Sequence, residues 1–345
     1  MNLSTASSAR RAEPMGLMGA VKEDADAARV TVVIVNWNGL QHLAQCLQAL
    51  QQQTMGAFQA VIMDNGSTDG SADLVPILQD PRFALVRLDS NQGFARANNL
   101  AVAQAATPWV ALLNPDAFPA PDWLEQLLAA AARHPAGAAF GCSLLNAADP
   151  ALLDGTGDNY HWSGRAFRRD HGRLRAQRTR GEAEIFSPCA AAALYRRSAW
   201  LAAGGLDEDY FCYLEDVDLG FRLRLQGHQC WHVPEAVCHH VGSAVTGRRS
   251  DFSGYYGQRN LVWTYVKNMP GVLFWLLLPL HLLANLAGLV LFALRGQAAV
   301  AWRAKLDALR GLPSCWRKRS IIQAGRSATV RAIWAMLDKS LWPQP

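Results

Sequence analysis

The amino-acid sequence predicts an α/β fold: a mostly parallel, Rossmann-like sheet followed by a hydrophobic and amphipathic helical region at the C-terminal end. Three observations lead there. Apolar runs and segments of helical periodicity alternate from Val30 to Asn146, the pattern of parallel strands joined by right-handed crossovers. Three of the first four apolar runs stop at amide- or carboxylate-bearing turns. Gly271 to Leu294 then carries no charge over 24 positions and leads into a basic tail.

Taken in order, residues 30–35 are a β-branched run, which suits a strand, and Asn36-Trp37-Asn38-Gly39 is a turn cluster. Leu40, Leu43, Leu47 and Leu50 fall on one helical face. Residues 60–63 form a second strand that ends at Asp64. In the polar loop 65–71, Asp69 or Ser71 is placed to cap the next helix. Residues 83–88 are a third strand closed by Asn91-Gln92-Gly93, and residues 95–106 a short Ala-rich helix. Residues 109–113 make a buried strand. Asn114 and Pro115 stop it abruptly, because proline lacks an N–H and restricts the residue before it, and Asp116 is left at its carboxyl end. An amphipathic helix over 121–134 and a fifth apolar run over 137–145 complete the alternation. From 147 to 186 periodicity disappears and seven arginines cluster between Arg165 and Arg180. That loop is either merely solvated or placed to grip a diphosphate. Regular structure resumes at 189–195, and a strand over 230–233 is bounded by Pro234.

Half of the 345 residues are hydrophobic and 18% are charged, enough for a sizeable core and too ordered a composition for global disorder. Residues 295–345 hold ten basic and two acidic side chains, a net +8 against +5 for the whole chain. The basicity therefore belongs to the tail, which points to a membrane surface and away from nucleic acid. Seven scattered cysteines without a C-x-x-C pair fit a reducing compartment. Residues 1–29 lack an apolar h-region and read as a disordered leader. No G-x-G-x-x-G and no P-loop is present.

In a parallel sheet the carboxyl ends of the strands lie along one edge, where open α/β sheets bind ligands. Asn36/Asn38, Asp64 and Asn114/Asp116 converge there. Asp64 is placed to accept hydrogen bonds from a base or ribose and Asp116 to hold a metal. A magnesium or manganese ion needs few protein ligands beside phosphate oxygens and water. Any one such Asp is ordinarily a helix cap; three on one edge argue for a site. In Tyr213-Leu214-Glu215-Asp216-Val217-Asp218-Leu219-Gly220-Phe221-Arg222, a helix from Glu215 pairs Asp218 with Arg222 at i,i+4. It leaves Glu215 and Asp216 in the first turn. A carboxylate crowded by its own kind tends to a raised pKa and to general-base work. His240, two residues before Gly242, is either a core histidine or a ligand.

These motifs resemble those of inverting family 2 glycosyltransferases with a GT-A fold, of the bacterial rhamnosyltransferase-like kind. The matching stretches are VNWNG, MDNGSTDGS, NQGFARANN, LNPDA, GGLDEDYFCYLEDVDLGFR, HHVGSAVTG and YYGQRN. They cover about two thirds of the chain. The resemblance implies that Asn36 and Asn38 line the nucleotide pocket, that Asp64 and Asn65 contact base and ribose, and that Asn91, Gly93 and Asn98 lie near the nucleotide-sugar. It puts Asp116 in the place of the metal-binding Asp, with Asn114 where other members carry a first Asp. Asp216 takes the catalytic-base position, supported by Glu215. His240, rather than His239, is a metal or diphosphate contact, and Arg259 neutralises the leaving diphosphate. The cofactor implied is Mg²⁺ or Mn²⁺. The donor implied is dTDP-rhamnose, with a galactofuranosyl or other UDP-hexosyl donor as the alternative. The acceptor is a lipid-linked or cell-surface glycan. A reading of a different class is a non-catalytic sugar-nucleotide-binding subunit.

The organisation expected is a leader (1–29), a GT-A domain (30–268, with a nucleotide-sugar half to 146 and an acceptor half from 147), and membrane-associating helices (269–345). Half of the 12 Trp lie at or after Trp263, as in a headgroup-level belt. A full crossing by Gly271–Leu294 would put the +8 tail outside, against the positive-inside tendency. The expectation is therefore a re-entrant or interface-lying segment bent near Pro279, on the cytoplasmic face of a bacterial inner membrane.

Overall fold

The computed structural model describes residues 28–177, 181–242 and 250–341. The leader falls almost wholly outside them, as do part of the HHVGSAVTG motif and the end of the arginine-rich segment. Strands β1 (Val30–Asn36) and β2 (Phe58–Asp64) pair in parallel from Val30 opposite Phe58 to Asn36 opposite Asp64. β3 (Phe83–Arg87) extends the sheet beyond β2, and β4 (Trp109–Leu113) lies parallel on the other side of β1. The crossovers are α1 (Leu40–Gln51), the short α2 (Leu74–Ile77) and α3 (Phe94–Gln104). After β5 (Ala117–Pro119) comes α4 (Trp123–Arg133). β1 is buried throughout because both its faces are covered. Val30, Val32 and Ile34 pack with Leu43, Leu47 and Leu127, while Val33 and Val35 pack with Ala97, Ala101 and Val102, the period of two that a strand imposes.

The sheet is mixed where the alternation alone reads as parallel. β6 (Gly137–Asn146) is the enclosed strand expected over 137–145, yet it does not pair with β4. The later strand β11 (Ala192–Arg196) inserts antiparallel between them, and β12 (Gln229–His240) then runs parallel along β6. Pro234 does not end β12. It sits in an irregular stretch between Val233 and Val237, where a ladder tolerates a missing N–H. Both differences build the site. An antiparallel β11 puts Ala192 opposite Leu113, so Cys189, Ala190 and Ala191 arrive at the carboxyl edge. The extended β12 pairs with β5, His240 opposite Ala117, which sets His240 next to Asp116.

The segment without periodicity holds strands of two or three residues, too short to show one. These are β7 (Leu153–Gly155) on β6, the hairpin β8 (Asp158–Tyr160) with β9 (Ala166–Arg168), and β10 (Ala183–Glu184) on β12. α5 (Arg197–Ala202) and α6 (Glu215–Leu225) follow β11. Five helices close the chain: α7 (Asp251–Asn268), α8 (Gly271–Leu294), α9 (Ala298–Arg310), α10 (Leu312–Ala324) and α11 (Val330–Met336). They share a core with the preceding segment, in which Tyr160, Phe186, Tyr210 and Phe221 meet Tyr265, Phe274, Cys315 and Ile333. Lys318 of α10 forms ion pairs with Asp207 and Asp209.

α8 runs as one helix through Pro279, where a bend is expected. Its inner face is pinned to the body: His281 stacks on Tyr265 at 4.0 Å and its Nδ1 lies 2.9 Å from the Ser163 carbonyl oxygen. Its outer face exposes Val272, Trp275, Leu282, Leu286, Val290 and Leu294, among others.

Candidate active site

A cleft of about 880 Å³ opens at the carboxyl edge of the sheet. On one wall Asp116 follows β4, and the β5–β12 pairing brings His240 beside it. His240 Nε2 is 3.4 Å from Asp116 Oδ1, and its Nδ1 is 2.8 Å from Asp154 Oδ2. All three side chains are buried. Burial pulls the His240 pKa down, but the carboxylates at its two nitrogens outweigh that and hold it up at about 8. Burial likewise pushes Asp116 up, and the adjacent His240 imidazole brings it below the usual carboxylate range. Nε2 has no well-formed hydrogen-bond partner although it is enclosed. Such an atom facing a carboxylate oxygen across 3.4 Å suits a divalent cation, since ligands about 2.1 Å from a shared octahedral ion lie roughly 3 Å apart. Asp154 completes the carboxylate–histidine arrangement that fixes the tautomer of a metal-binding imidazole.

Into the same cleft α6 delivers Glu215 and Asp216. The Ala190 N–H donates to Asp216 Oδ2 (3.0 Å) and the Val217 N–H to Oδ1 (2.8 Å). These bonds orient the carboxylate. Glu215 is buried deeper, with Oε2 unpartnered. Burial, and then the charge of Asp216, raise its pKa well above the usual value. Asp218 is structural, as expected from its spacing: it is fully buried and paired with Arg222 and Lys267.

The loop that aims α6 is strained. Phe211, Tyr213 and Leu214 have φ of 64°, 68° and 67°, at about 1–3 kcal/mol each for residues with a side chain. Asn260 holds it: its Nδ2 lies 3.2, 2.9 and 2.8 Å from the carbonyl oxygens of Tyr210, Cys212 and Tyr213. Arg259 belongs to the same clamp. Its Nη2 donates to the carbonyls of Asp209 and Tyr210, its Nε to Asn260 Oδ1, and its guanidinium lies 4.2 Å from the Trp263 ring centroid. Arg259 thus reaches the helix–loop junction through Nε and Nη2 and is not among the residues that line the cleft. We expect Asn260→Ala to remove about 2–3 kcal/mol of stability and at least ~10-fold of turnover, with donor affinity retained, as checked by thermal melts and steady-state kinetics.

The remaining expected residues divide in two. Asn65, Asn91 and Asn114 line the cleft. Asn65 Nδ2 donates to Asn91 Oδ1 (3.0 Å), while Asn65 Oδ1 accepts from the Gln92 N–H (2.8 Å). The others build the floor behind it. Asn36 is fully enclosed, its Nδ2 directed at Asp64, Ser67 and Ser71. Asp64 is buried on Asn36 and the Ser67 N–H. Asn38 Oδ1 accepts from the Thr68 N–H, and Asn98 Nδ2 donates to the Phe94 carbonyl. Gly93 (φ 86°) lets β3's loop meet Phe211, whose ring would lie 2.6 Å from any Cβ there. Asp69 bridges two N-termini, accepting from the N–H groups of Leu40 and Ser71. Sequence reasoning missed Asp154 and Asp158, which enter the cleft from β7 and β8 beside Arg168 of the arginine cluster, on β9. In the arginine-rich segment, Arg168 binds Asp154 (2.6 Å), and Arg169 and Arg173 pair with Asp170.

The model of glycosyl transferase family 2 matches residues 31–200. An N-acetylglucosaminyl-diphospho-decaprenol L-rhamnosyltransferase of Mycobacterium tuberculosis is 31% identical over 245 residues, 63% of this chain and 77% of that protein. The chain belongs to glycosyltransferase family 2. Solved structures support the GT-A fold of this family member. A mannosyltransferase of Pyrobaculum calidifontis, in complex with GDP-Man and Mn²⁺, superposes with a TM-score of 0.53 at 20% identity, covering 89% of this chain and 86% of that one. TarS 1–349 of S. aureus gives 0.51 at 14% identity, covering 88% of each. As a family 2 member the protein is a glycosyltransferase.

Proposed function

We propose that this glycosyltransferase is inverting and metal-dependent, and that it moves a sugar from a nucleoside-diphosphate donor to a hydroxyl of a lipid-linked glycan, with rhamnose from dTDP-rhamnose as the donor sugar. The observation that carries the reading is that Asp216 and the Asp116–His240 pair line one cleft. Asp216, held by two backbone N–H groups, takes the proton of the acceptor hydroxyl. The acceptor oxygen then bonds to the anomeric carbon from the face opposite the diphosphate as the bond to that diphosphate breaks, so the configuration inverts. Asp116 and His240 would hold Mg²⁺ or Mn²⁺, which when bound neutralises charge on the departing diphosphate. Asn65, Asn91 and Asn114 supply uncharged hydrogen-bonding groups on the donor side. The clamp on the 211–214 loop fixes Asp216, and holding acceptor and donor in line supplies much of the rate.

The M. tuberculosis relative carries the acceptor and sugar in its name, and this supports the choice of both for this chain. Titration calorimetry with dTDP and with UDP, each with and without Mn²⁺, tests nucleotide and metal. Turnover of dTDP-rhamnose on a synthetic N-acetylglucosaminyl-diphospho-lipid tests the reaction. Preference for UDP and a UDP-hexose would replace rhamnose. Nucleotide binding without turnover of any donor would leave the non-catalytic reading.

The proposed place of action is the cytoplasmic face of the bacterial inner membrane, with α8 lying on the surface. Its 24 residues are long and apolar enough to cross a membrane, but one face rests on the body along its length. His281 is held at Ser163, Gly288 lies close to Gln258, and Phe292 close to Gly254. The outer leucines and Trp275, flanked by the basic α9 and α10, fit a headgroup boundary. The double substitution Leu282→Asp with Leu286→Asp is expected to release the protein from anionic vesicles in a flotation assay, while dTDP affinity stays within ~2-fold. Binding that persists in high salt but not in the double variant indicates insertion over electrostatic docking.

A further inference from the structure

A second carboxylate enters the cleft from β8. Gly157, at φ 109°, brings the chain against Ser187 and Ile185, and Asp158 follows it. A carboxylate oxygen of Asp158, one of Asp216 and the Cys189 sulfur all lie within 4.8 Å of one another. Asp158 is 7% exposed and lines the cleft. Its backbone pairs with Ser187, but among the described residues its carboxylate has no hydrogen-bond donor. Asp216, in contrast, has two. A neighbouring carboxylate disfavours ionisation of a buried carboxyl that has no hydrogen-bond donor of its own. The trio is not a cation site, since Arg168 donates to the Cys189 sulfur at 2.9 Å and burial keeps that thiol protonated by raising its pKa well above the usual value.

We propose that Asp158 keeps its proton and donates it in a hydrogen bond to the acceptor sugar, positioning the hydroxyl that Asp216 deprotonates. The inference rests on the assignment of Asp216 as base. The groups facing Asp158 are Asp216 and Glu215 from α6, Arg168 from β9, Asp154 from β7, Cys189, and the Tyr195 phenol of β11. Burial first, then the negative charge of Asp216, push Asp158 up to about 8, against the opposing charge of Arg168. The neutral, donating form therefore prevails at pH 7 and is lost as pH rises through about 8.

The test is the pH profile of kcat/KM for the acceptor. Wild-type activity should fall on the alkaline side near pH 8. His240 titrates in the same region before metal is bound, so the variants decide. Asp158→Asn keeps a neutral donor at every pH. It should lose less than ~10-fold at pH 7, mostly as a raised acceptor KM, and should lose the alkaline limb. Asp158→Ala, without a donor, should lose about 10²-fold at pH 7 with dTDP affinity unchanged. Carboxyl ¹³C NMR on Asp-labelled protein should show one resonance titrating near 8 that is absent from Asp158→Asn. Because a raised carboxyl pKa destabilises the fold as pH increases, Asp158→Asn should melt at or above the wild-type temperature at pH 8, which separates misfolding from a true effect. An unchanged alkaline limb in Asp158→Asn, or no carboxyl titrating near 8, overturns the inference. An active Asp216→Asn overturns instead the base assignment beneath it.

Discussion

Asp216→Asn is expected to cut turnover by roughly 10²-fold or more while dTDP affinity stays within ~3-fold. The amide is nearly isosteric but has one oxygen where the carboxylate has two, so one of the Ala190 and Val217 N–H bonds is kept and the other is lost; an unchanged melting temperature would show that α6 keeps its place. What disappears is the ability to accept a proton. The loss should therefore fall on kcat rather than on donor binding, and single-turnover rates should fall with it. Glu215 is not a substitute: burial, the larger of the causes that raise its pKa, persists in the variant, and its Oε2 is enclosed. Near-normal turnover in Asp216→Asn would place the base elsewhere in the cleft.

Loss of either proposed cation ligand is the second large effect. Asp116→Ala and His240→Ala should each weaken Mn²⁺ binding at least ~10²-fold by calorimetry or by the Mn²⁺ resonance signal. Asp154→Asn should weaken it ~10–100-fold by releasing the imidazole from its orientation. The ordering matters, because a purely structural Asp154 would lower the melting temperature without separating metal affinity from nucleotide affinity. Raising pH should favour the cation, since His240 is held protonated up to about 8 without one and only the neutral ring is a ligand. An Asp116→Ala protein that turns over donor at the parent rate in the presence of chelator would refute the site.

The parts of this molecule that could be read from sequence are those written in consecutive residues. β4 and its stop at Asn114-Pro115 place Asp116 unaided, and the 3.6-residue spacing of α6 separates Asp218, which turns inward to Arg222, from Asp216. What escaped were features set by partners distant in the chain. β11 inserts beside β4 because of pairing, not because of anything in its own five residues. Asp154 and Asp158 lie on strands of three residues, below the length at which alternation is visible. Arg259 is legible as a cation in a motif, but its bonds to the Asp209 and Tyr210 carbonyls through Nη2 are not, because they join residues 50 and 49 positions apart. Asn36 and Asp64 lie on the expected edge, and the hydrogen bond that joins them across 28 residues is another such distant pairing.

The core shared by Tyr160, Phe221, Tyr265 and Phe274 packs α8 into the same cluster as the helix that carries Asp216. On the proposed placement of α8, the reacting carboxylate then stands at a set height over the lipid. An enzyme so mounted measures its acceptor: glycans whose free hydroxyl sits at that height are extended, and longer chains carry their ends past it.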